Sequence, residues 1–482
     1  MTPLVLTALI CAAAPASGTA SVTPSTASDM ESTKRVESDS AGELEQIHYN
    51  LDNGLEVILA PDPRRRVAAV NVWYHVGADH EAKGQKGIAH LSEHLMFEGS
   101  ANVATGDHVR HLRTIGVDAL NAHTGRHRTR YLTSLSPEGL ETLLWLEADR
   151  MGFLLEGLGS ASFERERAVV IRELRERVDL AAYGLAEARL WRELFPAGHP
   201  YHTRIEGIAD DLKALEFEDV REFIRTWYGP SNATIVVTGR FDPAQVRLLI
   251  DKYFSSLPAM EHPGPPSIEA SELTSRVIVD HSEPVGSRAA VVVGWHAPAA
   301  GDDEAVLARV TAELLGSGGD GLMQKRLVRD LGLAARVSIS LNEQAAQSVL
   351  RIRAVARPGV DAKDLLEAID AVVADIEAGD VKPREVARAR RRLSIRGAAA
   401  VDGALGLVEV AERVHRRQRG LAPASCVPAE ALGTDAVAAF ARNWLAPERS
   451  AVVLAKPAAR HAGDGGAGAP SRSQIKAGEN HD

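Results

Sequence analysis

The run AAVNVWYH at Ala68–His75 returns as AAVVVGWH at Ala289–His296, and this near-copy decides how the chain is divided. Each copy reads as a period-two strand, followed by a loop containing Gly and Asp and then a helix that ends in glycines. A second pair, WYGPSNATIVV from Trp227 and WLAPERSAVVL from Trp444, repeats at almost the same offset: 444 − 227 = 217 residues, against 289 − 68 = 221 for the strands. Self-similarity at a fixed offset points to a duplicated architecture. The expectation is an α+β fold of two similar domains from an internal duplication, each an antiparallel or mixed sheet with packed helices. They should occupy residues 44–256 and 273–458, joined by a linker at 257–272 within the proline-containing run SSLPAMEHPGPPSIEA.

Composition agrees with two domains, since 482 residues with 45% hydrophobic and 25% charged content exceed what one core usually serves. The 65 acidic and 55 basic groups leave a net charge of −10, which argues against nucleic acid as a partner. Of the two cysteines, Cys11 lies in the N-terminal apolar run PLVLTALICAAAPASGTA and Cys426 stands alone, so a processed chain has no internal disulfide. That run reads as a signal peptide over residues 1–20, too short for a convincing membrane span, followed by a disordered linker at 21–43. The expected location is the bacterial periplasm or beyond, with no integral membrane segment in the mature chain. A Gly-, Ala- and Ser-rich tail at 459–482 should be disordered.

Chemistry concentrates in GIAHLSEHLMFEGS at Gly87–Ser100, where His90, Glu93 and His94 follow the order H-x-x-E-H, the inverse of a known zinc motif. On a helix, histidines four residues apart share a face and can grip one ion, with Glu93 beside them as a base. Ile88, Leu91 and Leu95 form a separate apolar stripe. A catalytic zinc site needs a third protein ligand. The best source is FERERAVVIRELRERVD, in which Glu166 and Glu173, seven residues apart, fall on nearly one side of a helix. Spacing alone leaves both open to an ordinary surface role. Glu164 and Glu176 read as surface groups balanced by neighbouring arginines.

From Leu51 to about Asp242 the chain resembles the catalytic half of the pitrilysin and insulinase family of zinc peptidases, and in particular the bacterial members akin to mitochondrial processing peptidase. Besides H-x-x-E-H, the resemblance is carried by LDNGLEVILAPD at Leu51–Asp62, NAHT at Asn121–Thr124, EADRM at Glu147–Met151 and HPYHTRIEGIADDL at His199–Leu212. It implies His90, His94 and Glu173 as ligands of one zinc ion per chain, Glu93 as the general base that activates water, and Glu166 as a catalytic carboxylate behind the ligands. It also places Asn121 and Ala122 on a strand edge that binds substrate through backbone hydrogen bonds. The remaining histidines nearby, His108, His111, His123 and His127, read as surface groups.

The helix of the second copy, RVTAELLGSG, has no histidines, so only the first half can bind zinc. In the family, the second domain helps to enclose a chamber and contributes a substrate-positioning Arg and Tyr. In the corresponding run VRDLGLAARV those places fall on Val328 and Ala335, neither of which can donate the hydrogen bonds. The expected function is a zinc-dependent endopeptidase acting on unfolded or extended peptides. Its expected partner is a second copy or a related subunit that lacks zinc ligands and supplies the Arg and Tyr. The alternative is a non-catalytic scaffold or a peptide-binding subunit of a related complex.

Overall fold

The structure, a computed structural model, describes residues 32–36, 44–316, 318–401, 406 and 432–458. The leader at 1–20 and the tail at 459–482 lie outside the described residues. In chain order the first half comprises β1 (Ser32–Val36), β2 (Leu44–Asn50), β3 (Glu56–Pro61), β4 (Ala68–Tyr74), α1 (Ile88–Leu95), α2 (Asp107–Thr114), β5 (Val117–Thr124), β6 (Thr129–Leu135), α3 (Leu140–Gly157), α4 (Ser160–Leu174), α5 (Gly184–Leu194), α6 (Ala209–Ala214), α7 (Phe217–Trp227), β7 (Ala233–Gly239) and α8 (Pro243–Phe254). The second half follows with β8 (Val277–Glu283), β9 (Ala290–Ala297), α9 (Ala305–Gly316), β10 (Ala334–Asn342), β11 (Ser348–Ala356), α10 (Ala362–Glu377), α11 (Pro383–Val401), α12 (Thr434–Trp444) and β12 (Ser450–Pro457). No helix among the described residues is long and apolar enough to cross a membrane.

Two mixed sheets result, ordered β1-β2-β3-β7-β4-β6-β5 and β10-β11-β9-β12-β8. Leaving aside β1 and β2, the second repeats the first strand for strand, down to the pairing register. Val72 of β4 lies opposite Ile235 of β7, and their counterparts in the repeated runs, Val293 and Val452, lie opposite each other as well. β3 runs parallel to β7 and β8 runs parallel to β12, and all other pairings are antiparallel. The fold is therefore α+β with two similar units from one duplicated plan.

The central strands are buried along their whole length because both faces of each sheet are covered. On β4, Val70, Val72 and Tyr74 join the helix-side core, while Trp73 packs on the other face with Ile58 and Val236. On β9, Val291, Val293 and Trp295 join the second helix-side core. Ala290 and Val292 face the other way, against α5.

That helix belongs by sequence to the first half, yet Ala186, Leu190, Trp191 and Leu194 pack on the second sheet. It explains one difference between the repeated runs. Where the first copy has Trp73 the second has Gly294, and a Cβ there would stand 3.0 Å from Leu190 Cδ2 and 3.1 Å from Leu194 Cδ1. Polar ties reinforce the crossing: Tyr183 Oη donates to the Arg288 carbonyl (3.0 Å), and Glu187 accepts from Arg351 (2.5 Å) and Arg353 (2.7 Å) of β11.

One expectation needs correction. Ser32–Val36, inside the stretch expected to be disordered, pairs antiparallel with Leu44–His48. An edge strand with free backbone donors and acceptors on β2 gives even a polar segment a partner, and composition does not reveal that.

Glu187 is 12% exposed and matches two arginines that are themselves only 21% and 24% exposed. Glu187→Ala leaves these guanidinium groups without a counter-charge and should lower stability by about 1–3 kcal/mol. Urea unfolding measures this, and an unchanged midpoint would show that the arginines are matched elsewhere.

Candidate metal centre

The metal-motif helix α1 is short and is held in place from outside. Ile88, Leu91 and Leu95 are fully buried, which sets the face turned to the core. Gly87, at φ +106, makes the left-handed step into the helix that a side chain would disfavour. Glu81 then reaches across, its Oε1 accepting from the Gly87 N–H (3.0 Å) and the Ala89 N–H (3.1 Å), donors the helix itself cannot satisfy. The EADRM run supports the other end: Asp149 accepts from Ser100 Oγ and from Asn102 Nδ2 (2.6 Å) in the loop after α1. Arg150, paired with buried Glu147, lies 4.1 Å over the Tyr131 ring and 5.3 Å over Phe97.

Opposite α1 runs α4, buried through Phe163, Val170 and Leu174 and continued past its end by a π-helical turn at Arg175–Asp179. The two helices bring His90, His94 and Glu173 together, with ligand atoms all within 4.8 Å of one another. This is the one such cluster of three among the described residues. His94 Nε2 lies 3.4 Å from Glu173 Oε2, and His90 Nε2 lies 3.9 Å from Glu173 Oε1. Tetrahedral zinc with ligands at about 2.0–2.1 Å requires donor separations of about 3.3 Å, so the donor set and its spacing fit that ion. Glu166 stands 3.2 Å from His94 Nδ1, behind the ligand, where a carboxylate orients the ring and leaves Nε2 for a metal. Burial, then the nearby His94, pushes the pKa of His90 down to about 4, so its lone pair is available at neutral pH.

Glu93 projects from the same helix into a cavity of about 390 Å³ and accepts a 2.5 Å hydrogen bond from Thr124 Oγ1. Burial raises its pKa, against the opposing effect of the Thr124 bond. Asn121 and Ala122 line the cavity from β5, the outermost strand of the first sheet. Sequence reasoning did not single out Thr124, Glu81, Arg177 or Glu206. Thr124 closes the NAHT run and Arg177 stands four residues beyond Glu173, a helical ion-pair spacing, whereas the roles of Glu81 and Glu206 depend on contacts that spacing does not encode. His108, expected at the surface, is instead buried with its ring edge-on to Phe97 at 5.8 Å, because α2 turns that face inward.

Among the described residues, all that line the cavity belong to the first half. Val328 packs against the second core, and Ala335 is exposed outside the cavity lining. The second half meets its equivalent helix crossing differently. Arg396 stands 396 − 383 = 13 residues into α11, as Glu173 stands 173 − 160 = 13 residues into α4. It pairs at 2.7 Å with the buried Glu313 of α9, while Arg309 of the same helix pairs with Glu343 at 2.6 Å. A guanidinium thus supplies there the positive charge that a metal ion would supply between α1 and α4.

Glu81 allows a test of how α1 is held. Burial pushes its carboxyl up from 4.5 to about 8, despite the attraction of Lys86 and Arg126. The folded state therefore holds this proton more tightly than the unfolded chain does. The corresponding stability is complete below about pH 4.5 and is lost as pH rises through about 8. Glu81→Gln keeps an acceptor for both N–H groups without titrating, so its melting temperature should fall less than that of the wild type across this range. Parallel slopes in thermal unfolding would refute that. Asp79, pushed up to about 6 by burial, contributes the same background to both proteins.

Residues 56–193 match the family described as Insulinase (Peptidase family M16), and residues 214–393 match its companion, the Peptidase M16 inactive domain. The chain is 31% identical over 340 residues to the zinc protease PqqE of Helicobacter pylori, spanning 70% of this chain and 76% of that protein. It is 29% identical over 261 residues to the mitochondrial-processing peptidase subunit beta of Lentinula edodes, covering 52% and 54% of the two chains. The crystal structure of a protease from Helicobacter pylori matches with a TM-score of 0.77 at 25% identity, over 86% of this chain and 100% of that one. A ligand cluster confined to the first half and a repeated second half of the inactive type agree with these matches, and the chain belongs to the insulinase family of peptidases, peptidase family M16.

Proposed function

We propose that the chain is a zinc-dependent endopeptidase acting on unfolded or extended peptides. The observation that carries this reading is the meeting of His90, His94 and Glu173 in one cavity with Glu93, which Thr124 holds in place. The three would hold one zinc ion, which when bound supplies a Lewis acid that polarises a carbonyl and acidifies water towards neutrality. Glu93 takes the proton of the attacking water and delivers it to the leaving amine. Glu166 keeps the His94 ring oriented. An extended peptide adds to the free edge of β5 alongside Asn121 and Ala122, which reads main-chain extension more than side-chain identity.

The side chains of Val328 and Ala335 offer no donors, and among the described residues the second half contributes nothing to the cavity lining. We therefore infer that a second copy, or a related subunit without zinc ligands, supplies the groups that hold the peptide carbonyl. The leader at Pro3–Ala20 supports export to the periplasm or beyond.

Glu93→Gln should retain one zinc per chain by elemental analysis and lose about 10³-fold in kcat on an unstructured peptide. Turnover that persists in this variant refutes Glu93 as the base. Adding a family relative that retains the Arg and Tyr should raise wild-type activity. Full activity of this chain alone as a monomer would refute the two-chain reading.

A further inference from the structure

The carboxylates that line the metal cavity are all committed. Glu93 accepts from Thr124, Glu173 faces the two histidines, and Glu206 is gripped by both Nε (3.1 Å) and a terminal nitrogen (2.9 Å) of Arg204. Arg204 is in turn 3.9 Å from Glu187, which holds Arg351 and Arg353. Each carboxylate among the described residues of the cavity wall already has a partner close by.

The positive side differs. Among the described residues Arg177 is the one Lys or Arg lining the cavity, and a terminal nitrogen of its guanidinium stands 2.6 Å from Glu173 Oε1. A guanidinium carries five N–H donors in a fixed fork, and no other ion pair or hydrogen bond engages Arg177 among the described residues. Its side chain is 59% exposed although its anchor is firm, since it sits on the π-helical turn where Val178 is buried and the Leu180 N–H returns to the Arg175 carbonyl at 2.8 Å. π-helical turns are rare and are frequently found at functional sites.

We propose that Arg177 is a specificity-determining residue that recognises a carboxylate of the peptide close to the cleaved bond. The proposal rests on the peptidase reading and adds a substrate class to it. The free donors of Arg177 match a carboxylate in two-pronged geometry, whereas a Lys or Arg side chain meets only carboxylates already engaged. The carboxylate can come from an Asp or Glu side chain or from the end of the peptide.

The test uses unstructured peptides of one backbone carrying Glu, Gln or Lys in turn at positions flanking the cleaved bond, each with a free or an amidated C-terminus. They are offered to the zinc-loaded wild type, Arg177→Gln and Arg177→Lys. The wild type should prefer Glu over Gln by about fivefold in kcat/KM and disfavour Lys, Arg177→Gln should level the series, and Arg177→Lys should restore part of it. Persistence of the preference after amidation assigns the carboxylate to the side chain, and its loss assigns it to the chain end. A preference that survives Arg177→Gln overturns the proposal. So does loss of zinc with an equal loss for every peptide, which would leave Arg177 only the task of orienting Glu173. The same peptides titrated by fluorescence anisotropy onto Glu93→Gln, with and without Arg177→Gln, read discrimination without turnover. Discrimination without cleavage by the wild type would overturn the peptidase reading alone, and equal binding of the Glu and Gln peptides would overturn this proposal.

Discussion

Where α1 meets α4, two imidazoles and two carboxylates share a space largely withdrawn from water, and charge left unmatched in such a place costs several kcal/mol. Much of the first half is arranged around that constraint. Glu81 holds the start of α1, Asp149 holds the loop after it, and Glu166 occupies the back of His94, so the donors converge before any ion arrives. The second half inherits the same helix crossing and satisfies it with Glu313 and Arg396. One plan thus has two electrostatic arrangements, a cluster of donors suited to a metal in the first half and an ion pair that is matched within the chain in the second.

Much of this was legible in the sequence because it is local. The paired runs at Ala68 and Ala289 carry strand periodicity in neighbouring residues, and their offset foretells two sheets with one strand order. The spacing of His90 and His94, and of Glu166 and Glu173, is helix geometry written directly into residue numbers. The meeting of those two helices is not local, and on the residues alone Glu173 had no advantage over a surface role; the family resemblance singled it out.

What escaped detection depends on partners distant in sequence. Glu81 becomes a helix anchor only because the chain folds back on itself, and β1 becomes a strand only because β2 presents a free edge. His108 reads as a surface group in the sequence because its apolar surroundings come from Phe97, against which Arg150 of α3 packs. The membership of α5 is the clearest case. Its apolar residues predict a buried face, but nothing in their spacing says which sheet they cover.

The placement of α5 also bears on how such a chain can change over generations. A duplicated half with no metal would ordinarily be free to drift, as redundant copies do. Here Gly294 must stay small for Leu190 and Leu194 to fit, and Arg351 and Arg353 must stay cationic for Glu187. Damage to the inert half would therefore reach, through one helix, the segment that carries the ligands. The two halves are thus mechanically tied, and a change in one is felt in the packing of the other.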